Sequence, residues 1–189
     1  MSSIAELYFK DDNAWREWLE ANHHCCAGAY LIFYSVAHSN DSMRWEEAVR
    51  VALCFGWIDS TVKSLGNGMR RQYFCPRKPK SSWSKLNKTY VKKLKEEGLM
   101  HPSGLAKIKQ AKEDGSWTAL DDVENCIVPQ DLQLAFNANP QAEKHYESFS
   151  RTYRKSYLYW LNEAKRPQTR QARISEIIRL CQANIKSRN

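Results

Sequence analysis

The residues of this chain whose types and spacing suit chemistry fall into two basic clusters and one isolated carboxylate. The first cluster is Arg77-Lys78-Pro79-Lys80-Ser81-Ser82-Trp83-Ser84, with Lys85 following. Serines just ahead of a helical pattern place its first N–H groups, which carry positive partial charge, beside three or four cations; such an end is a natural seat for phosphate or carboxylate. An exposed Trp83 there would stack on a base or ring, adding about 1–3 kcal/mol for a nucleic-acid base. The plainer reading makes Ser84 a routine N-cap and Trp83 a core anchor. The second cluster is Lys165, Arg166, Thr169, Arg170 and Arg173, around another helix start. Its arginines can fork onto an anionic ligand, or onto carboxylates of the same chain such as Asp121, Asp122, Glu124 or Asp59. Asp59 lies between apolar neighbours in a strand pattern, where an ionised carboxylate needs a partner, and an arginine is the expected one. As a functional residue it would be a general base or a substrate anchor.

Other catalytic machinery is not encoded in recognisable form. The chain has no nucleophile elbow, no phosphate-binding glycine loop, no dinucleotide fingerprint and no zinc-protease helix. Its cysteines, Cys25, Cys26, Cys54, Cys75, Cys126 and Cys181, never take the paired spacing of a zinc or redox motif, and we read them as free thiols. Cys54 falls on the apolar side of its helix as a core filler. The dense run His23-His24-Cys25-Cys26 cannot turn four adjacent side chains onto one ion. No metal and no cofactor is expected.

Charge is the strongest compositional signal. The chain of 189 residues carries 29 Lys/Arg and 21 Asp/Glu, a net +8. Residues 63–112 hold +12 and residues 151–189 hold +8, while 1–62 and 113–150 hold −5 and −7. Blocks of alternating sign neutralise one another in part and leave surplus positive potential for an anionic partner. With 42% hydrophobic and 26% charged residues the composition is that of a folded globular chain. Neither an apolar run near the roughly 20 residues of a membrane span nor a secretory pattern in Met1–Lys10 is present, so a soluble, cytoplasmic protein is the expectation.

The elements that must position these residues follow from periodicity. Asp11 and Asp12 cap a helix to about Asn22 through Trp15, Trp18 and Leu19; Ala29–Tyr34 reads as a buried strand; Trp45 to Leu53 is helical and Gly56 ends it. Trp57–Leu65 and Met69–Cys75, joined by Gly66-Asn67-Gly68, read as a hairpin. Helices follow through Leu86–Leu94, Leu105–Ala111, Leu132–Phe136, Tyr146–Phe149 and Tyr153–Ala164, and a last one in which Thr169 can act as cap leads into Ile174–Ile185. The fold class is α+β: a small antiparallel sheet with flanking helices in 1–83 and a mainly helical half in 84–189. No Gly/Ser/Pro-rich linker separates the halves, so one unit over 1–189 is expected.

Several blocks together carry a family resemblance: Glu46-Glu47-Ala48-Val49, Ala52 to Asp59, Phe74 to Asn87, Gly98-Leu99-Met100, Gly104-Leu105, Ala111 to Trp117, Pro129 to Leu132 and Ala164 to Ile174. On these the chain resembles the YdeI/OmpD-associated, or bacteriocin-protection, family over nearly its whole length. It departs from the family pattern at Ala37 and His38, where a lysine pair is usual, at Ser60, where glycine is usual, and at Cys75, where threonine is common. The resemblance implies a link to envelope proteins and to resistance against bacteriocins and cationic antimicrobial peptides, with no agreed reaction or cofactor.

Taken together, the expected function is a cytosolic protein binding an anionic small molecule or an acidic protein surface through Arg77, Lys78, Lys80, Ser82, Trp83, Ser84, Lys165, Arg166, Thr169, Arg170 and Arg173. A nucleic-acid binder using the same residues is one alternative. An enzyme acting on a phosphorylated or carboxylated small molecule, with Asp59 as base, is the other.

Overall fold

A computed structural model describes residues 4–188; Met1–Ser3, the first part of the stretch read for a secretory pattern, and Asn189 lie outside the described residues. The chain divides into two compact units, one to Thr118 and one from Ala119. The division falls after the first two helices of the expected helical half.

The first unit runs β1 (Glu6–Tyr8), α1 (Asp12–Asn22), β2 (Ala29–Tyr34), α2 (Trp45–Cys54), β3 (Trp57–Gly66), β4 (Met69–Pro76), α3 (Lys85–Glu96) and α4 (Pro102–Glu113). Its sheet has the order β1-β2-β4-β3. β2 and β3 both pair antiparallel with β4, putting Leu31 opposite Gln72 and Asp59 opposite Phe74. The hairpin turns where Gly66, Asn67 and Gly68 all take positive φ, of 81°, 48° and 72°. β1 is a three-residue strand that the sequence reading did not include, and it pairs parallel with β2, so the sheet is mixed.

The pleat decides what is buried. In β2, Ala29, Leu31 and Phe33 face the core, while Tyr30, Ile32 and Tyr34 are half-buried on the other face, so this strand alternates instead of being buried on both sides. Trp15 and Leu19 of α1, Leu53 of α2, Trp57 of β3 and Phe74 of β4 fill the space between sheet and helices. Each large apolar side chain so enclosed contributes roughly 1.5–3 kcal/mol. The Trp15 indole N–H donates to the Ala48 carbonyl at 3.2 Å, so the buried ring leaves no polar orphan.

α4 approaches α2 through Gly104, which is buried and whose absent Cβ would stand 2.1 Å from the Cys54 carbonyl oxygen. The His101 N–H donates to that same carbonyl at 3.1 Å, and Ser103 Oγ donates to the Phe55 carbonyl at 3.1 Å. Helix α4 is thus seated on the end of α2 with backbone nearly touching backbone.

The second unit holds α5 (Asp121–Glu124), α6 (Gln130–Asn137), α7 (Pro140–Ser148), α8 (Arg151–Asn162) and α9 (Pro167–Gln182). Leu132, Phe136, Tyr146, Tyr157, Leu161, Ile177 and Cys181 form its core. Pro140 and Pro167 each occupy a first helical position, where a missing N–H costs nothing and φ is already helical. This corrects one expectation: Pro167 opens α9 and Arg166 is the N-cap residue, so Thr169 lies inside the helix and does not cap it.

Gly104→Ala tests the seating of α4. An alanine favours an isolated helix, but here the methyl meets backbone that cannot yield. We expect a loss of about 1–3 kcal/mol in urea unfolding; an unchanged or higher stability contradicts the close approach.

Candidate functional site

The loop after β4 is organised around a buried cation. Arg77 is 3% exposed, and its guanidinium carbon lies 3.7 Å from the centre of the Trp83 ring. Its Nη1 donates to Ser81 Oγ at 3.3 Å and to the Ser82 carbonyl at 3.2 Å, and its backbone N–H donates to the Gly56 carbonyl at 2.9 Å. Burial pushes its pKa down to about 10 against the pull of Asp59, which leaves it charged at neutral pH. Trp83 is 1% exposed and packs on Trp117 at 5.0 Å between ring centres. The condition for base stacking is therefore not met: Trp83 is the core anchor, with Arg77 against it. Ser84 is the N-cap of α3, accepting from the Asn87 N–H at 3.2 Å. Lys78 and Lys80, and Lys85 that follows the cluster, are exposed. Lys80 takes a positive φ of 60°, held by its N–H donating to Asp114 Oδ2 at 2.9 Å. The Ser116 hydrogen bonds and then that of Lys80 keep the Asp114 carboxyl below the usual range. The space bordered by Arg77, Trp83, Asp114 and Ser116 is about 10 Å³, the size of one water molecule.

Asp59 does not pair with an arginine. Its Oδ2 accepts from the Trp45 indole N–H at 2.9 Å and from Gln72 Nε2 at 2.5 Å, and no ion pair to it is found among the described residues. Two neutral donors satisfy a half-buried carboxylate at the sheet–helix boundary, which is a framework role.

In the second cluster Arg170 and Arg173 are committed internally, to partners other than those expected. Arg170 forks onto Asp131, Nε to Oδ2 at 2.5 Å and Nη2 to Oδ1 at 2.9 Å, and this pair holds the Asp131 carboxyl below its ordinary value. Arg173 donates from Nη1 to the Trp160 carbonyl and lies over the Trp160 ring at 5.0 Å. Glu124 instead accepts from Lys155 Nζ at 2.8 Å. Lys165, Arg166 and Thr169 remain exposed.

What the structure does bring together is a set of lysines that sequence reasoning missed. On α3, Lys85, Lys88, Lys92 and Lys95 recur at three and four residues, flanking the buried stripe of Val91 and Leu94. Lys88 of α3 and Lys112, near the end of α4, converge on one ring, their Nζ atoms 5.9 and 5.7 Å from the centre of Trp117. Beside them a groove of about 520 Å³ is lined by Lys95, Leu105, Ile108, Lys109, Lys112 and Glu113. Glu113 is its one carboxylate, 3.9 Å from Lys109 Nζ and exposed, a separation at which an exposed pair is worth little. Leu105 is 42% exposed and Ile108 is buried beneath it. A cationic rim over an apolar floor suits an anion with a hydrophobic side. The signal for it was the lysine spacing within α3, which the loop sequence ahead of it overshadowed. Among the described residues no group of three or more His, Cys, Asp or Glu is placed to hold a metal ion.

Two substitutions follow from this geometry. Arg77→Ala removes the ring contact and the charged hydrogen bonds and should lower unfolding free energy by about 2–4 kcal/mol; an unaltered denaturation midpoint contradicts the structural role. Asp131→Asn tests the fork. A depressed carboxyl contributes stability that is present above its unfolded value, about 3.9, and lost as pH falls through the lower folded value. Thermal melting of the parent should therefore drop on going from pH 5 to pH 2 more than that of Asp131→Asn, and equal drops contradict the pairing.

Comparison with known proteins separates the same two regions. Residues 7–107, just over half of the chain, match the model of a domain of unknown function (DUF8412), and residues 125–184 match the model described as bacteriocin-protection, YdeI or OmpD-associated. No curated protein and no solved structure matches the chain. The blocks Pro129–Leu132 and Ala164–Ile174 fall inside the second match, while those from Glu46 to Leu105 fall inside the first, so the bacteriocin-protection match is confined to the C-terminal part and does not extend over nearly the whole length. The chain thus belongs to the family of the domain of unknown function (DUF8412), whose model covers residues 7–107, and its residues 125–184 are similar to the bacteriocin-protection, YdeI or OmpD-associated family.

Proposed function

We propose that this is a cytosolic binding protein whose partner is an acidic protein surface, held in the groove between α3 and α4. The observation that carries the reading is the placement of Lys95, Lys109 and Lys112 around the apolar floor of Leu105 and Ile108 with a single carboxylate among them. An acidic amphipathic helix meets this chemistry with its apolar stripe down and its carboxylates on the rim. The lysines steer the encounter and set specificity, and the buried apolar contact supplies most of the affinity.

The family description concerns protection from bacteriocins. Direct capture of a cationic peptide runs against the net +8 of the chain, which repels such a ligand at long range. The connection to envelope stress and to peptide resistance is therefore indirect and passes through the acidic partner. A nucleic-acid reading has less support, because Trp83, the ring proposed to stack on bases, is buried, and Arg71, on the tyrosine-bearing face of the sheet, is occupied by Glu6 and by the Tyr30 ring at 4.6 Å.

Fluorescence anisotropy with a labelled peptide carrying Leu and Glu at helical spacing tests the reading. Saturable binding is expected, weakened at least tenfold by Lys109→Glu with Lys112→Glu and several-fold between 50 and 300 mM salt. Absence of binding to the parent protein, or equal binding to the double variant, overturns it.

A further inference from the structure

The second unit has a cavity of its own that neither cluster read from the sequence describes. It measures about 510 Å³, within the range of small-molecule sites, and is lined by Trp160 of α8, by Glu176, Arg179 and Leu180 of α9, and by Ile185 and Arg188 of the segment that follows. That segment is turned back by local bonds. Asn184 takes a positive φ of 55°, the N–H groups of Asn184 and Ile185 donate to the carbonyls of Cys181 and Leu180 at 2.9 Å each, and the Tyr157 hydroxyl donates to the Ile185 carbonyl at 2.7 Å. The result places the Arg188 guanidinium 4.3 Å from the centre of the Trp160 ring, which Arg173 also covers at 5.0 Å.

The charges around this ring do not balance. Arg179 is matched by Glu176 through two bonds of 2.8 and 2.7 Å, which uses the carboxylate that lines the cavity. Arg173 and Arg188 have no carboxylate partner among the described residues. Arg188 Nε is buried with no hydrogen-bond partner among the described residues, as are the Nε atoms of Arg71, Arg77 and Arg154, so the Nη groups of Arg188 are the ones left for a ligand. Two guanidinium groups on one indole, neither with a carboxylate partner among the described residues, and an apolar wall of Leu180 and Ile185 define a complementary site.

We propose that this cavity is a binding site for a small organic anion, its carboxylate or phosphate head taken by Arg188 and its apolar body resting on Leu180, Ile185 and Trp160. Arg173 acts as a positioning residue: it donates to the Trp160 backbone carbonyl and its guanidinium lies over the ring. The site does not depend on the lysine groove of the first unit, and each stands or falls alone.

The test follows the Trp160 indole N–H in ¹H–¹⁵N spectra, assigned with Trp160→Phe, during titration with phenyl phosphate, inorganic phosphate and benzyl alcohol. Phenyl phosphate should give a saturable shift, and Arg188→Gln, which lies outside every helix and should leave circular dichroism unchanged, should weaken it at least tenfold. Inorganic phosphate and benzyl alcohol should each bind at least tenfold more weakly than phenyl phosphate. The Lys109→Glu, Lys112→Glu variant should bind phenyl phosphate as the parent does. No saturable shift at millimolar phenyl phosphate, undiminished binding by Arg188→Gln, equal binding of either partial probe, or loss of binding in the lysine variant overturns the proposal.

Discussion

The contact between the Arg77 guanidinium and the Trp83 ring fixes the functional half of the first unit. A charge this deeply buried is tolerated where a π-face and hydrogen-bond acceptors replace water; the Trp83 ring covers the guanidinium and Ser81 and Ser82 take its Nη1, while Nε and Nη2 have no hydrogen-bond partner among the described residues. The backbone N–H of Arg77 ties the same point to Gly56, where α2 gives way to β3. From there the chain is committed: Ser84 caps α3, Trp83 packs on Trp117, and Trp117 lies just beyond the end of α4. The loop that leads into α3 is thus held by an arginine that is 3% exposed, while α4 is seated through Gly104 on the end of α2.

That arrangement sorts the cations of the chain into two kinds. Arg77, Arg170 and Arg173 are enclosed or forked onto partners and serve the framework, as the planar guanidinium suits them to do. Lys95, Lys109 and Lys112 are exposed and carry their ammonium groups on flexible stems, suited to a partner that arrives from solution. Sheet and cap geometry thus turn a positive block of sequence into a buried anchor and an outward-facing rim.

Much of the architecture could be read directly from residue order, and the reasons are local. Asp11 before α1, the Gly66-Asn67-Gly68 turn and Gly56 after α2 each carry their own conformational instruction. β1 is not legible because three residues hold no periodicity, and the cap chemistry of Thr169 is overridden by Pro167, whose fixed φ suits the first helical turn and starts α9 ahead of it. The site was harder. Residue type alone does not tell a buried guanidinium from an exposed one, and the partner that decided Arg170, Asp131, lies 39 positions away. The lysine repeat in α3 was visible, but its meaning depended on α4 supplying the opposite wall.

Mapping the bound acidic peptide by amide and lysine ¹H–¹⁵N shifts is the most direct measurement. The account requires the perturbed residues to cluster in α3 and α4 around Lys95, Leu105, Lys109 and Lys112. Perturbations that spread evenly over the basic surface, or that centre on the loop of Lys78 and Lys80, would contradict it.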